Sequence, residues 1–595
     1  MTTRSTRSPR RRTVVALAVV LAVLAGFIVR LVDIQVVNAG EHIEDSLDRA
    51  FGGEQVLHGT RGEIVDENGQ TLAGSILRYD CQLDPLLITQ IDAEVLEGKS
   101  DYPLWADVSV DVAEITGQTP EEVRGIVEAE LAERPESQFV YLKKGVSTEH
   151  YRALADLSMP YIDCLQHPAR MYPDGAVAGN LVGFVGSDGV PLEGFEQTQD
   201  DCLAATNGER LFQKGKDGVV IPGTAVERPA TDGGTLELTV NRDLQWYLQQ
   251  LIAEQTQDMG AQQGAILVYE VETGKVRAAA EYPTVDPNQV DATAAELRTS
   301  RIFRGSFEPG STFKALTAAT VIDAGGQSPQ STVVASSLEN FEDGARVRDS
   351  FQHPAYEYTL AGVLIDSSNA GISKFSETVS PQVRYDYFKR FGIGDGTSSG
   401  YPQEGVGVIH PVDQWGAQTK YNTSFGQGVA TTMPELARAY GAIVNDGVKM
   451  PLSIVESCTL PDGTVVEPER PEGERVISEG TSAQMRAMLE NVFLQAPYAE
   501  SVEIPGYRIG GKTGTGEKPD LVNGGYKQGV YYTTMVGFAP ADDPKYVVVV
   551  TLDEPTKVTS SAANATAFQK AMTQVLKTYR VMPSTTAPEL LPKFG

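Results

Sequence analysis

"GAILVYEVETGKVRAAA", residues 264–280, is two apolar runs on either side of Thr273-Gly274. That pattern predicts a β-hairpin. Its counterpart lies far along the chain. "YYTTMVGFAPADDPKYVVVVTL", residues 531–552, holds two more strands, joined at Pro540 to Pro544. Just before the hairpin, "LELTVNRDLQWYLQQLIAEQ" turns from strand alternation to helical spacing, with Leu244, Tyr247, Leu248, Leu251 and Ile252 on one face. After the last strands, a helix over about 562–580 puts Phe568, Met572, Val575, Leu576 and Tyr579 on one side. Strands at both ends with helices between them predict an α+β domain over 235–580, whose sheet brings the two ends together. Residues 581–595, ending "STTAPELLPKFG", read as a loose tail.

Working outward, residues 40–230 form a second region of mixed character. Asp66-Glu67-Asn68-Gly69 is turn chemistry between short apolar runs. In "TPEEVRGIVEAELAERPE", Thr119 is a helix N-cap and Pro120 occupies the first helical position. "ARMYPDGAVAGNLVGFVG" is rich in glycine turns, and "GKDGVVIPGT", residues 215–224, reads as an exposed ribbon or linker. With 595 residues, two to four domains are expected at roughly 150 residues each.

The N-terminus departs from a chain whose net charge is −30. Residues 1–12, "MTTRSTRSPRRR", carry five arginines and no acid. Residues 13–32 follow, uncharged up to Arg30, long enough for a transmembrane helix. The flanking arginines place the first residues in the cytoplasm and everything after the span outside the cell membrane, as a single-pass protein. A cleaved signal peptide is the alternative, but its apolar core usually ends sooner, within about 15 residues. The acidic balance argues against a nucleic-acid partner. Six histidines, none in a paired ligand spacing, argue against a metal hydrolase. The four cysteines, Cys81, Cys164, Cys202 and Cys458, allow three pairings. Cys164 and Cys202 share a candidate domain and are the preferred pair, with free buried thiols as the alternative.

The chemistry sits in the second domain. "FEPGSTFK" places Ser311 and Lys314 one helical turn apart, so the amine can reach the hydroxyl. A buried lysine near another cation loses proton affinity and can serve as a base. Alone, SxxK arises by chance roughly once in 600 residues, and serine is a common helix cap. Two further segments change that. "LIDSSNAGISK" holds Ser367-Ser368-Asn369, and "YRIGGKTGTGEK" holds Lys512-Thr513-Gly514-Thr515. SxxK, SxN and KTG in this order form the set used by penicillin-binding proteins and class A β-lactamases. The roles are physically consistent. Ser367 can pass a proton between Lys314 and a leaving group, and Asn369 can bond a substrate amide. Lys512 adds positive charge, and Gly514 lets the strand backbone approach the substrate closely. The Thr513 and Thr515 hydroxyls can grip a carboxylate. The backbone N–H groups of Ser311 and Thr515 can form an oxyanion hole, worth about 3 kcal/mol per donor.

The chain resembles class B penicillin-binding proteins, from the anchor to about residue 580. "RLVDIQV", "RGEIVDENGQTLA", "ARMYPDGAVAGNLVGFVG" and "LEGFEQ" resemble the family's anchor and pedestal, and "TGKVRAAAEYPTVDPN", "FEPGSTFK", "SFGQGVATTMPELARAYGAIVNDG" and "GGKTGT" its transpeptidase domain. The resemblance implies an α+β, serine β-lactamase-like transpeptidase domain, a mixed α/β pedestal (dimerisation) domain and an N-terminal transmembrane helix. It implies a peptidoglycan D,D-transpeptidase that cross-links D-Ala-D-Ala stem peptides through a Ser311 acyl-enzyme, needs no cofactor or metal, and is acylated by β-lactams. "FEPGSTFK" and "GVYYTTMVGFAPADDPKYVVVVTLDEP" resemble the septal, cell-division type, which works with a polytopic glycosyltransferase and other division proteins. The lateral-wall type, which more often has Pro at position 308, is the alternative. "RIFR", residues 301–304, departs from the polar Asn-Arg pair of the septal type.

Rival readings remain distinguishable. A β-lactamase or carboxypeptidase shares the trio but passes the acyl group to water. A penicillin sensor usually has several spans and a cytoplasmic output domain. An inactive division scaffold would not need the trio.

Overall fold

The two strands of the opening stretch, Gln263–Glu270 and Val276–Tyr282, form one side of a five-stranded antiparallel sheet. The computed structural model describes residues 9–32, 53–186, 188–214, 220–520 and 522–595. In the sheet the hairpin is followed by Tyr546–Asp553, Tyr526–Ala539 and, at the far edge, Gly510–Pro519. Val268 lies opposite Val548, so the two ends of the domain meet directly. The α+β expectation therefore holds. Tyr546 to Leu552 are buried without alternation because helices cover both faces. On one face a Cβ at Gly264 would lie 2.2 Å from Thr256 Oγ1, in the helix Arg242–Met259. On the other, a Cβ at Gly441 would lie 2.5 Å from the Tyr269 ring, from the helix Met433–Val444. The expected C-terminal helix runs Ala565–Thr578 and packs beside Arg242–Met259. Lys314–Asp323 and Glu479–Gln495 join Met433–Val444 in the opposite layer.

Two units divide the described chain. One takes in the residues up to Gly59 together with Ala205–Thr231. It holds the helix Pro9–Val32 and a sheet of Gly53–Leu57, Gly208–Phe212 and Val226–Arg228. Within that helix, Thr13–Arg30 has a mean hydropathy of 2.5, long and apolar enough to cross a membrane. The other unit comprises Thr60–Ala204 and Asp232–Gly595. In it Thr235–Leu238 pairs in parallel with Ile64–Val65 and antiparallel with Val455–Thr459, so residues on both sides of 205–231 share a sheet. The long strand Thr71–Leu83 pairs with Ile162–Met171 and Val140–Val146. A separate core including Cys81, Ile88, Trp105, Val112, Val123 and Leu142 forms there. The helix Pro120–Glu133 starts as its sequence predicts, with Thr119 and Glu122 bonding each other's backbone N–H. Most of "RLVDIQV", the start of the 40–230 region and residues 215–219 of the ribbon lie outside the described residues.

Two expectations need correction. Cys164 bonds Cys81, not Cys202, because the two are direct register partners across a strand pair, with Cα atoms 4.0 Å apart. Cys202 bonds Cys458, 256 residues away. Gly234 makes room for this bridge: a Cβ there would lie 3.2 Å from Cys458 Sγ. Strand register decides the pairing, and proximity along the chain does not. The segment read as a loose tail is also tied down. Leu591 is buried, its N–H donates to Asn491 Oδ1 at 2.9 Å, and Asn491 Nδ2 donates to Glu589 O at 2.8 Å.

Candidate active site

Ser311 sits in a tight 3-10 turn, Gly310–Phe313, and the regular α-helix begins only at Lys314. The turn needs glycine before the serine. Gly310 has φ +54°, and a Cβ there would lie 2.7 Å from Thr515 O. Residues 312 to 322 are all buried, so the helix is driven into the core and carries the Lys314 ammonium with it. Lys314 is fully buried. Its Nζ lies 3.0 Å from Ser311 Oγ, 2.5 Å from Ser367 O and 3.1 Å from Ser367 Oγ.

Ser367 comes from a loop between the helices Leu360–Ile365 and Asn369–Ser376. It holds φ +57°, the left-handed region that costs a non-glycine residue about 1 kcal/mol. The next residue restrains it. Ser368 caps the second helix, accepting from Gly371 N at 2.8 Å and donating to Asp349 Oδ2 at 2.6 Å. Asp349 Oδ1 accepts from Ala370 N at 2.9 Å. Asp349 stands in "RVRDS", which matches no motif. Its place under the SxN loop comes from tertiary packing, and nothing in the sequence reading signalled it. Asn369 Nδ2 donates to Arg348 O at 3.0 Å, which orients the amide at the mouth of the site.

Lys512 comes from the sheet's edge strand, Gly510–Pro519. It is buried, and its Nζ lies 3.0 Å from Ser367 Oγ. The strand docks backbone-to-backbone on the serine turn. A Cβ on Gly514 would lie 2.4 Å from Pro309 O, and one on Gly516 2.2 Å from Glu308 O. Gly514 therefore allows the strand to reach the turn, a different partner from the substrate assigned to it on sequence grounds. Thr513 and Thr515 share the opposite pleat from Lys512 and Gly514. Thr513 is buried beside the Tyr498 phenol, and Thr515 is partly exposed. A Cβ on Gly310 would lie 3.1 Å from Thr515 N, so the main chain of residue 515 borders the turn that carries Ser311.

Ser311, Lys314, Ser367 and Lys512 thus form one connected set, with Asn369, Thr513, Gly514 and Thr515 on the same loop and strand. Burial, and after it the charge of Lys512, hold Lys314 well below its ordinary value, and Asp349 opposes them. Burial alone brings Lys512 down to about 7. A neutral Lys314 can donate to Ser367 O and accept the proton of Ser311 Oγ. Ser367 Oγ stands between the two amines and can receive from one while giving to the other. The departure at "RIFR" is used in packing: Arg301 donates to Pro283 O at 2.6 Å, and Arg304 donates to Pro402 O at 2.9 Å and pairs with Glu193. Glu308 Oε1 accepts from Gly428 N at 3.0 Å and Tyr526 Oη at 2.8 Å.

Comparison with known proteins gives consistent matches. Residues 264–573 match the family model for the penicillin-binding protein transpeptidase domain, and residues 56–238 that for the penicillin-binding protein dimerisation domain. The chain is 34% identical over 528 residues to penicillin-binding protein PbpB of Mycolicibacterium smegmatis, covering 85% of this chain and 80% of that one. It is 29% identical over 568 residues to peptidoglycan D,D-transpeptidase FtsI of Escherichia coli, covering 95% and 91%. Among solved structures, penicillin-binding protein 3 of Mycobacterium tuberculosis complexed with ampicillin superposes with a TM-score of 0.68 at 28% identity, over 90% of this chain and 99% of that one.

Proposed function

The chain belongs to the class B penicillin-binding proteins, and from that premise we propose that it is a peptidoglycan D,D-transpeptidase in which Ser311 is the nucleophile and Lys314 its base. One observation carries the assignment: buried Lys314 Nζ lies 3.0 Å from Ser311 Oγ and 3.1 Å from Ser367 Oγ, with Lys512 Nζ 3.0 Å beyond.

In this reading Ser311 Oγ attacks the carbonyl carbon of the penultimate D-Ala as its proton passes to Lys314 Nζ. The N–H groups of Ser311 and Thr515 bear the oxyanion. Ser367 relays the proton from Lys314 to the departing D-Ala amine, which leaves an ester on Ser311. An amine from a second stem peptide then attacks the ester, gives its proton back through Lys314 and frees Ser311. Asn369 holds the donor amide, and Lys512, Thr513 and Thr515 receive its terminal carboxylate. A β-lactam follows the first half alone: its ring amide opens, and the leaving nitrogen stays tethered to the acyl group.

The test is intact-mass spectrometry of the protein with benzylpenicillin. One adduct is expected, and Ser311→Ala abolishes it. An adduct that persists in the variant would overturn the nucleophile.

The wider role is part of the same proposal. The arginines before Thr13 put the N-terminus in the cytoplasm and the transpeptidase on the cell-wall side. Similarity to FtsI, and the septal resemblance of "FEPGSTFK", support work in division beside a polytopic glycosyltransferase. Depletion in the host should then give elongated or branched cells that fail to divide. Rounded cells that still divide would assign it to lateral growth.

A further inference from the structure

Among the described residues, Ser367 is the one to which both lysines hydrogen-bond, and it holds a left-handed backbone. What holds it there lies outside the three motifs. On its N-terminal side, Asp366 has both carboxylate oxygens occupied: Oδ1 accepts from Lys593 Nζ at 2.7 Å, and Oδ2 accepts from Tyr358 Oη at 3.3 Å. On its C-terminal side, Ser368 is held by Asp349, which also takes His353 Nε2 at 2.9 Å. The His353 ring stacks on Tyr356 with centroids 5.2 Å apart and meets Tyr358 edge-on at 5.7 Å. Phe594 packs on both tyrosines, at 4.8 and 5.2 Å. Both flanks of Ser367 therefore lead, by short chains of contacts, to residues 593 and 594.

The segment that carries these two residues is used in two parts. Residues 589–591 lie on the helix Glu479–Gln495, through Asn491 and through Gln495 Nε2, which donates to Leu591 O at 2.9 Å. Residues 592–595 leave that helix for the elements that lead into the Ser367 loop. Thr359 Oγ1 donates to Pro592 O at 2.7 Å, Thr359 N to Lys593 O at 3.0 Å, and Gly595 N to Glu357 O at 3.0 Å. A Cβ on Gly362 would lie 1.9 Å from Lys593 O, so the helix Leu360–Ile365 is pressed onto the tail backbone. A segment that only filled a surface groove would have no need of an ion pair to the residue preceding the SxN serine.

We propose that Glu589–Gly595 is a positioning element of the active site, in which Lys593 on Asp366 and Phe594 on Tyr356 and Tyr358 fix the loop that presents Ser367 to Lys314 and Lys512. This rests on the transpeptidase reading above. Lys593 acts through Asp366 and touches no reacting atom.

The experiment uses the full chain and benzylpenicillin, with the concentration dependence of acylation separating the binding constant from the acylation rate constant. Lys593→Met keeps the aliphatic stem and the tail's backbone bonds, so the fold is retained. Its acylation rate constant should fall about tenfold while the binding constant stays within about twofold, because the loss is one of alignment at the reacting end. Lys593→Arg should restore most of the rate. Asp366→Asn should reproduce the loss, and the double variant should be no slower than either single one. Phe594→Ala should slow acylation in the same way. Lys593→Met acylating at the parent rate would overturn the proposal, and so would effects that multiply in the double variant or a loss that Arg does not rescue. No adduct on the parent chain would overturn the transpeptidase reading itself, a result distinct from any of these.

Discussion

In the proposed reaction Lys314 must be neutral to take the serine proton, yet it lies within one side chain of a second ammonium. Burial and then Lys512 lower its proton affinity, so its neutral form is available well below the pH at which an exposed lysine titrates. The sign follows directly. The base form is active, so acylation rises with pH through the depressed value, while loss of the Lys512 proton, brought down to about 7 by burial, weakens the carboxylate contact at higher pH. Lys512→Gln removes the second cause and leaves burial, so the acid limb of the acylation profile should move to higher pH. A limb that stays put would mean that Lys512 does not set the charge of Lys314. Lys314→Arg tests the base more sharply. Arginine keeps the positive charge but cannot lose its proton at any working pH, so acylation should fall by at least about a hundredfold, the usual share of a general base. Retention of the rate would mean that this residue acts only as a charge.

At the scale of elements, the site is a strand docked on a turn. Gly514 and Gly516 face the carbonyls of Pro309 and Glu308, and Gly310 faces Thr515. These contacts are backbone to backbone, so a methyl group cannot be absorbed by a rotamer change. Gly514→Ala should push the edge strand off the turn and separate Lys512 from Ser367. An acylation rate at least about tenfold lower is expected, since small displacements of reacting groups carry large costs. Gly480→Ala is the matched control. It is the second residue of the helix Glu479–Gln495 with open space around it, so a methyl group there meets nothing and should leave acylation unchanged. Equal behaviour of the two variants would refute the docking argument. These elements also show what a sequence reveals. The hairpin at 264–280, the helix capped by Thr119 and the two termini meeting in one sheet were readable because alternation, turn chemistry and capping are local. Asp349 was not, since "RVRDS" is an ordinary strand end until the fold lays it under Ser368.

Across the whole molecule, the misread features were long-range ones. The tail reads as loose in sequence, yet Leu591 is buried and Phe594, though part-exposed, packs on Tyr356 and Tyr358, contacts that distant parts of the chain supply. The cysteines show the same limit. Cys164 and Cys202 are near in sequence, but one faces Cys81 across a strand pair and the other faces Cys458 from beyond a separation of 256 residues. The second bridge joins the segment before residue 204 to one well inside the transpeptidase region, in the same unit. A closed loop of that size restricts the unfolded chain strongly, and by chain entropy the gain comes to about 5.5 kcal/mol, just above the usual range. Cys202→Ser/Cys458→Ser should therefore lower the temperature at which penicillin acylation is lost by several degrees, while the Ser311 chemistry at low temperature is unchanged. Peptide mapping without reductant gives the direct check. Linked peptides should join Cys81 to Cys164 and Cys202 to Cys458. A peptide linking Cys164 to Cys202 would mean that the strand register between Thr71–Leu83 and Ile162–Met171 is wrong, because that register alone sets the first pair.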